Sequence, residues 1–157
     1  MRNAVTAIGI SLVLALTLSM VGPVAASEKT DALVPVHQFI DGFNKDDAKS
    51  VAAACVDDAS LIDEFPPHEW HGPGACAKWL SDGESFNQAN AVTDLVVVLR
   101  SPLRVDITGD RAYVVGRGSL SYKMKGKAEK ETGSVYTFAL LKGPDGWRIT
   151  GFAWSRL

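Results

Sequence analysis

The stretch from Asp63 to His71 holds most of the side chains in this chain that could move a proton. Asp63, Glu64, His68, Glu69, Trp70 and His71 crowd around Pro66-Pro67, and two of the chain's three histidines are among them. A carboxylate in apolar surroundings loses hydration, its pKa rises, and it can take a proton from carbon or relay one from water near neutral pH. Asp63 fits that description, because Leu61 and Phe65 share its face of an alternating segment, where a carboxylate is costly unless paired or used. His68 and His71 are candidates for the acid or hydrogen-bond donor. Trp70 and Trp79 would supply apolar wall, and His37 could join them. The competing reading is a rigid strand-to-helix connection in which the histidines cap backbone groups and Trp70 covers helix packing.

Other chemistries find less support. His68-x-x-His71 with Asp63 or Glu64 offers metal-ligand types, but on a Pro-rich loop without a Cys pair or a His-Glu-x-x-His helix it does not define a site, so no metal is expected. The glycines at 116, 118 and 133 form no phosphate-binding loop. They mark bends or bulges in a curved sheet, and no nucleotide or other cofactor is implied. Lys123, Lys125, Lys127 and Lys130 alternate with Glu129 and Glu131 around a hairpin tip, the composition of a solvated loop. Lys plus Arg is 16 against Asp plus Glu at 18, so no basic field exists to hold nucleic acid.

These side chains must be held by surrounding elements. Leu33, Val36, His37, Ile40 and Phe43 recur at helical spacing from Thr30 to Asn44, and Asp46 or Asp47 can cap a second helix over 48–55 whose Val51, Ala52, Ala54 and Cys55 form a small-residue face. Ser60 to Phe65 alternates as a strand that Pro66-Pro67 stops. A third helix starts at Ala75 and carries Cys76 and Trp79, with an end between Leu80 and Ala89. After Ala91 come four strand pieces, 92–107 with a bend at Ser101-Pro102, 112–124, 134–141 and 147–154, divided by turn signals at Gly109, Gly126 and Gly143-Pro144-Asp145-Gly146. The order ααβαββββ predicts an α+β domain, a curved antiparallel sheet wrapped around three helices with a cavity between. Phe39, Phe43, Trp79, Tyr113, Tyr136, Phe138, Phe152 and Trp154 either line that cavity or fill it.

The chain is 157 residues long, 46% hydrophobic and 22% charged, the size of one domain. Residues 1–26 read as a secretory signal, with Arg2, an apolar run from Ala7 through Leu18, and Val24-Ala25-Ala26 before Ser27; the run from Ile8 to Val21 is interrupted and short for a membrane span, which makes a retained transmembrane helix the weaker reading. Cleavage after Ala26 leaves 27–157 as a single domain, periplasmic or secreted, with no membrane attachment and no Cys at the cleavage position for a lipid. Cys55 and Cys76 are the only cysteines; an oxidising compartment favours their pairing, and two buried thiols are the alternative.

The string Phe39-Ile40-Asp41-Gly42-Phe43-Asn44-Lys45-Asp46-Asp47, the run Asp57-Asp58-Ala59-Ser60-Leu61-Ile62-Asp63 and the closing Gly146-Trp147-Arg148-Ile149, in that order, resemble the nuclear transport factor 2-like superfamily. That superfamily includes ketosteroid isomerase and the SnoaL-like polyketide cyclases, and the resemblance covers nearly all of 27–157. It implies the cone fold and, through the outer face of the sheet, a homodimer. It also sets Asp63 on the isomerase's general-base aspartate, Phe39 on its oxyanion-hole tyrosine and Val135 near its second donor. Neither Phe39 nor Val135 can donate a hydrogen bond, which disfavours steroid isomerisation, and Tyr136 is the nearest substitute. The expectation is a small hydrophobic or aromatic metabolite bound by Phe39, Phe43, Trp70, Trp79, Tyr136 and Trp154, with isomerase, cyclase or dehydratase-like chemistry at Asp63. The alternative is a non-catalytic binding or dimerisation module, since one scaffold hosts unrelated functions.

Overall fold

The structure, a computed structural model, describes residues 23–101 and 103–156. The apolar run expected of a signal segment lies outside the described residues, and the expected cleavage point after Ala26 falls inside the first helix. Helix α1 spans Pro23–Asn44, starting a turn and more before the periodic stretch that begins at Thr30. Helix α2, Ala48–Ala54, is capped by the Asp47 carboxylate, which accepts from the Lys49 and Ser50 N–H groups. Val51 and Ala54 bury, whereas Ala52 is exposed and does not belong to the packed face. Gly42 lets the two helices close, since a Cβ there would sit 2.9 Å from Val51 Cγ2.

Strand β1, Cys55–Ile62, is followed by a short strand β2, Glu69–His71, that sequence periodicity does not show, and by helix α3, Ala75–Ala89. The remaining strands are β3 (Val92–Leu99), β4 (Arg104–Thr108), β5 (Arg111–Met124), β6 (Lys127–Gly143) and β7 (Gly146–Ser155). The single long strand expected over 92–107 is therefore two strands, and both pair with the long β5. Strand order is β2-β1-β7-β6-β5-β3. All pairs are antiparallel except β1 with β7, which run parallel, so the sheet is mixed rather than wholly antiparallel. The parallel pair arises because the chain leaves β1 through α3 and returns along the far strands before β7 closes beside it.

The helices lie against the concave face. Phe39, fully buried, is the hub: its ring centroid lies 5.3 Å from Trp79, 5.0 Å from Phe152 and 6.0 Å from Phe138. Cys55 and Cys76 are joined in a disulfide between the start of β1 and the first turn of α3, with Cα atoms 6.6 Å apart. The Asn44 side chain fastens the end of α1 to β3, donating to the Val97 carbonyl at 2.9 Å and accepting from the Val97 N–H at 2.8 Å. No helix among the described residues is long and apolar enough to cross a membrane.

Candidate functional site

A cavity of about 720 Å³ opens between α1, α3 and the concave sheet. The aromatic side chains divide between filling the cone and lining it. Phe138 fills the closed end at 1% exposure, Tyr113 stands on the outside at 43%, and Phe39, Phe43, Trp79, Tyr136, Phe152 and Trp154 line the cavity.

Asp63 follows β1 directly and keeps its alternation, so that Ile62 is 61% exposed while Asp63 is 6% exposed and on the cavity wall. Its Oδ2 accepts from the Trp79 indole N–H at 2.9 Å and its Oδ1 from the Glu64 backbone N–H at 2.7 Å. Burial pushes its carboxyl above the ordinary value of 3.8. The bonds from Trp79 and the Glu64 N–H, and the nearby Trp154 indole, act against that shift, while the Glu64 charge adds to it.

The histidines are elsewhere. His68 sits in the turn after the cis Pro66-Pro67 bond at φ 77°, exposed, with its ring Nδ1 3.3 Å from the Asp63 carbonyl oxygen. That turn also holds the Asp63 N–H on the His68 carbonyl at 3.1 Å, so His68 lies behind the backbone of Asp63 rather than beside its carboxylate. His71 is exposed on β2 opposite Ser60, and His37 is exposed on α1. None of the three lines the cavity. Trp70 is also outside it. Its indole donates to Asp82 Oδ2 at 2.8 Å and its ring packs 4.8 Å from Phe65, so it covers the β2–α3 junction instead of forming pocket wall. Among the described residues no three His, Cys, Asp or Glu side chains gather as a metal ion requires.

The placement of Val135 near a donor position, implied by the resemblance, is corrected by the strand's own alternation. On β6 the buried positions are Ser134, Tyr136, Phe138 and Leu140, so Tyr136 faces inward and Val135 outward. Gly118 makes room for that ring, because a Cβ there would lie 2.7 Å from Tyr136 Cε2. Burial, then the charges of Glu131 and Asp63, push the Tyr136 phenol up, so it remains an O–H donor at neutral pH.

A polar group at the cavity that sequence reading missed is formed by Tyr122, Glu131, Arg156 and Glu64. Glu131 Oε1 accepts from the Tyr122 hydroxyl at 3.0 Å and from Arg156 Nη1 at 3.1 Å, and Arg156 Nη2 reaches Glu64 Oε2 at 2.7 Å. Reading Glu131 as part of a solvated hairpin tip fails because of one bulge. Thr132 pairs with Ser119 and Ser134 with Gly118, leaving Gly133, at φ 86°, as the extra residue. The extra residue shifts the phase by one and brings Glu131 to the same face as Tyr136. The lysines at 123, 125, 127 and 130 do remain exposed. Arg156 was legible by simple alternation from Phe152 and Trp154.

No protein-family model and no curated protein matches the sequence. Solved structures do match. A nuclear transport factor 2 (NTF2-like) superfamily protein from Salmonella enterica serovar Typhimurium superposes with TM-score 0.70 at 14% identity, over 84% of this chain and 92% of that one. This chain has the nuclear transport factor 2-like fold. Two further neighbours share the cone: a ketosteroid isomerase-like protein from Erwinia carotovora atroseptica, with TM-score 0.64 at 19% identity over 83% and 96% of the chains, and a hexachlorocyclohexane dehydrochlorinase from Novosphingobium barchaimii, with TM-score 0.67 at 14% identity over 84% and 86%.

Proposed function

We propose that the cone is an acid–base catalytic site for a small, largely apolar or aromatic molecule, with Asp63 as general base. The observation that carries this is a carboxylate on the wall of an aromatic cavity, oriented through both oxygens and raised in pKa by burial. The ionised carboxylate takes a proton from a substrate carbon. The electron pair of the broken C–H bond then moves onto a conjugated carbonyl oxygen, in an isomerisation, or forms a double bond as it expels a leaving group, in an elimination. The Tyr136 O–H donates to the charge that develops, in the place of the donors absent at Phe39 and Val135. Two neighbours of the same fold bear names of these reaction classes, isomerase-like and dehydrochlorinase.

Deuterium exchange tests the base. Incubated with 2-tetralone in D2O, the protein is expected to incorporate deuterium at the carbon next to the carbonyl faster than buffer alone, and Asp63→Asn is expected to lose about 100-fold or more of that rate with its circular dichroism intact. Equal exchange by the variant, or none above buffer by the native protein, overturns the assignment.

A second reading, a binding module that pairs through the outer face of its sheet, draws support from exposed Val98 at 55% and Tyr113 at 43% on β3 and β5. Export with removal of residues 1–26 belongs to either reading.

A further inference from the structure

The charges around the cavity are one-sided. Among the described residues that line it, Asp63 and Glu131 are the sheltered carboxylates, Asp46, Glu64, Glu84 and Asp94 are acidic and exposed to solvent, and the basic residue is Arg156. Arg156 is already engaged by Glu64 and Glu131, and Asp94 is met from outside the cavity by Lys123 at 2.8 Å. The remaining carboxylates have no cation of their own on the cavity wall. The apolar part of the wall is mostly aromatic, and ring faces carry negative electrostatic potential that attracts cations. A cleft with one sign of charge and low-dielectric walls concentrates ligands of the opposite sign. One carboxylate, Glu131, is held inside by two donors that both land on Oε1, while Oε2 is buried without a partner among the described residues. An acceptor so placed favours a donor-bearing ligand and penalises an anionic one.

We infer that the cavity selects an organic cation, an amine carried on an aromatic or alicyclic body, whose ring lies among Phe39, Trp79 and Trp154 and whose ammonium turns toward Glu131. This rests on the reading of the cone as a ligand site and names the class of ligand it takes. A carboxylate or phosphate ester of the same body is disfavoured by charge.

Three matched probes separate the two claims: 2-(1-naphthyl)ethylammonium, 2-(1-naphthyl)ethanol and 1-naphthylacetate, titrated by calorimetry into the native protein. The ammonium is expected to bind at least tenfold more tightly than the alcohol, and the acetate more weakly than either. Glu131→Gln is expected to weaken the ammonium about tenfold and leave the alcohol within twofold. Arg156→Gln, which releases Glu64 and Glu131, is expected to strengthen the ammonium severalfold, a direction that mere loss of structure would not give. If the alcohol or the acetate binds as well as the ammonium, or if Arg156→Gln weakens the ammonium, the cation assignment falls and the cavity remains a ligand site. If none of the three binds, the cation assignment falls together with the ligand site.

Discussion

Asp63 carries the chemistry in the proposed function, and its environment sets a sign that can be measured. Its carboxyl in the folded protein titrates above 3.8, the value it returns to on unfolding. Between those two pH values the folded state holds more proton than the unfolded one, so acidification through that window favours folding as far as this residue is concerned. The unfolding free energy of the native protein minus that of Asp63→Asn should therefore rise as pH is lowered from neutral toward about 4, measured by urea titration over a pH series. A flat or falling difference would show that burial does not dominate. Tyr136 acts at the same scale: Tyr136→Phe keeps the ring and removes the donor, and should slow the exchange of 2-tetralone about tenfold or more while binding changes little. Asp63 could be picked out from sequence because a period of two between Leu61 and Phe65 forces a carboxylate inward. His68, His71 and Trp70 were legible as chemistry-bearing residues, but their placement outside the cavity was not. Their distance from the cavity is set by the turn at 65–68 and by the pairing of β2 with β1, which no local pattern announces.

At the scale of elements, two short covalent and steric constraints fix the site. The Cys55–Cys76 bond ties β1, which leads into Asp63, to α3, which carries Trp79, across a separation of 21 residues. Its reduction is expected to cost about 3 kcal/mol of stability, read as a lower urea midpoint in dithiothreitol. An unchanged midpoint would mean that the bond adds nothing to the packing around it. On β5, Gly118→Ala would bring a Cβ within 2.7 Å of the Tyr136 ring and 2.9 Å of the Val98 carbonyl oxygen. The carbonyl belongs to a paired strand and cannot yield, so the ring must move, at a cost of about 1–3 kcal/mol. The variant should also lose exchange activity in step with Tyr136→Phe; full activity would mean that the ring keeps its place. The bulge at Gly133 is the element-scale device that puts Glu131 inside, and a glycine within a strand signals it once the change of phase is carried through to its neighbours.

At the scale of the whole molecule, the helices close one end of the cone and leave the other open. Phe39 joins Trp79, Phe138 and Phe152 into a packed floor above which the cavity begins. Expressed from the full gene in a host with an export pathway, the protein should be recovered outside the cytoplasm with Ser27 as its first residue. Intact mass spectrometry would show this, and recovery of the chain from Met1 would overturn the signal assignment. Of the described residues, removal of 1–26 takes the first four of α1, about one turn, and keeps the Lys142–Glu28 ion pair, 2.8 Å long, between the helix and β6. Native mass spectrometry of the same sample should show twice the chain mass if the outer face of the sheet pairs two copies.

Periodicity and punctuation in the sequence determined the succession of helices and strands apart from β2 and the division of 92–107 into β3 and β4, together with the inward set of Asp63, Phe39 and Trp154, because those follow from bonds and side-chain directions a few residues apart. Long-range geometry decided the rest. The parallel docking of β1 on β7, the division of aromatic rings between floor and wall, the exclusion of the histidines and the collection of carboxylates at one cavity all depend on residues separated by tens of positions. Their meeting is set by sheet register and curvature, which are the sum of every bulge and turn along the chain rather than a property of any one segment.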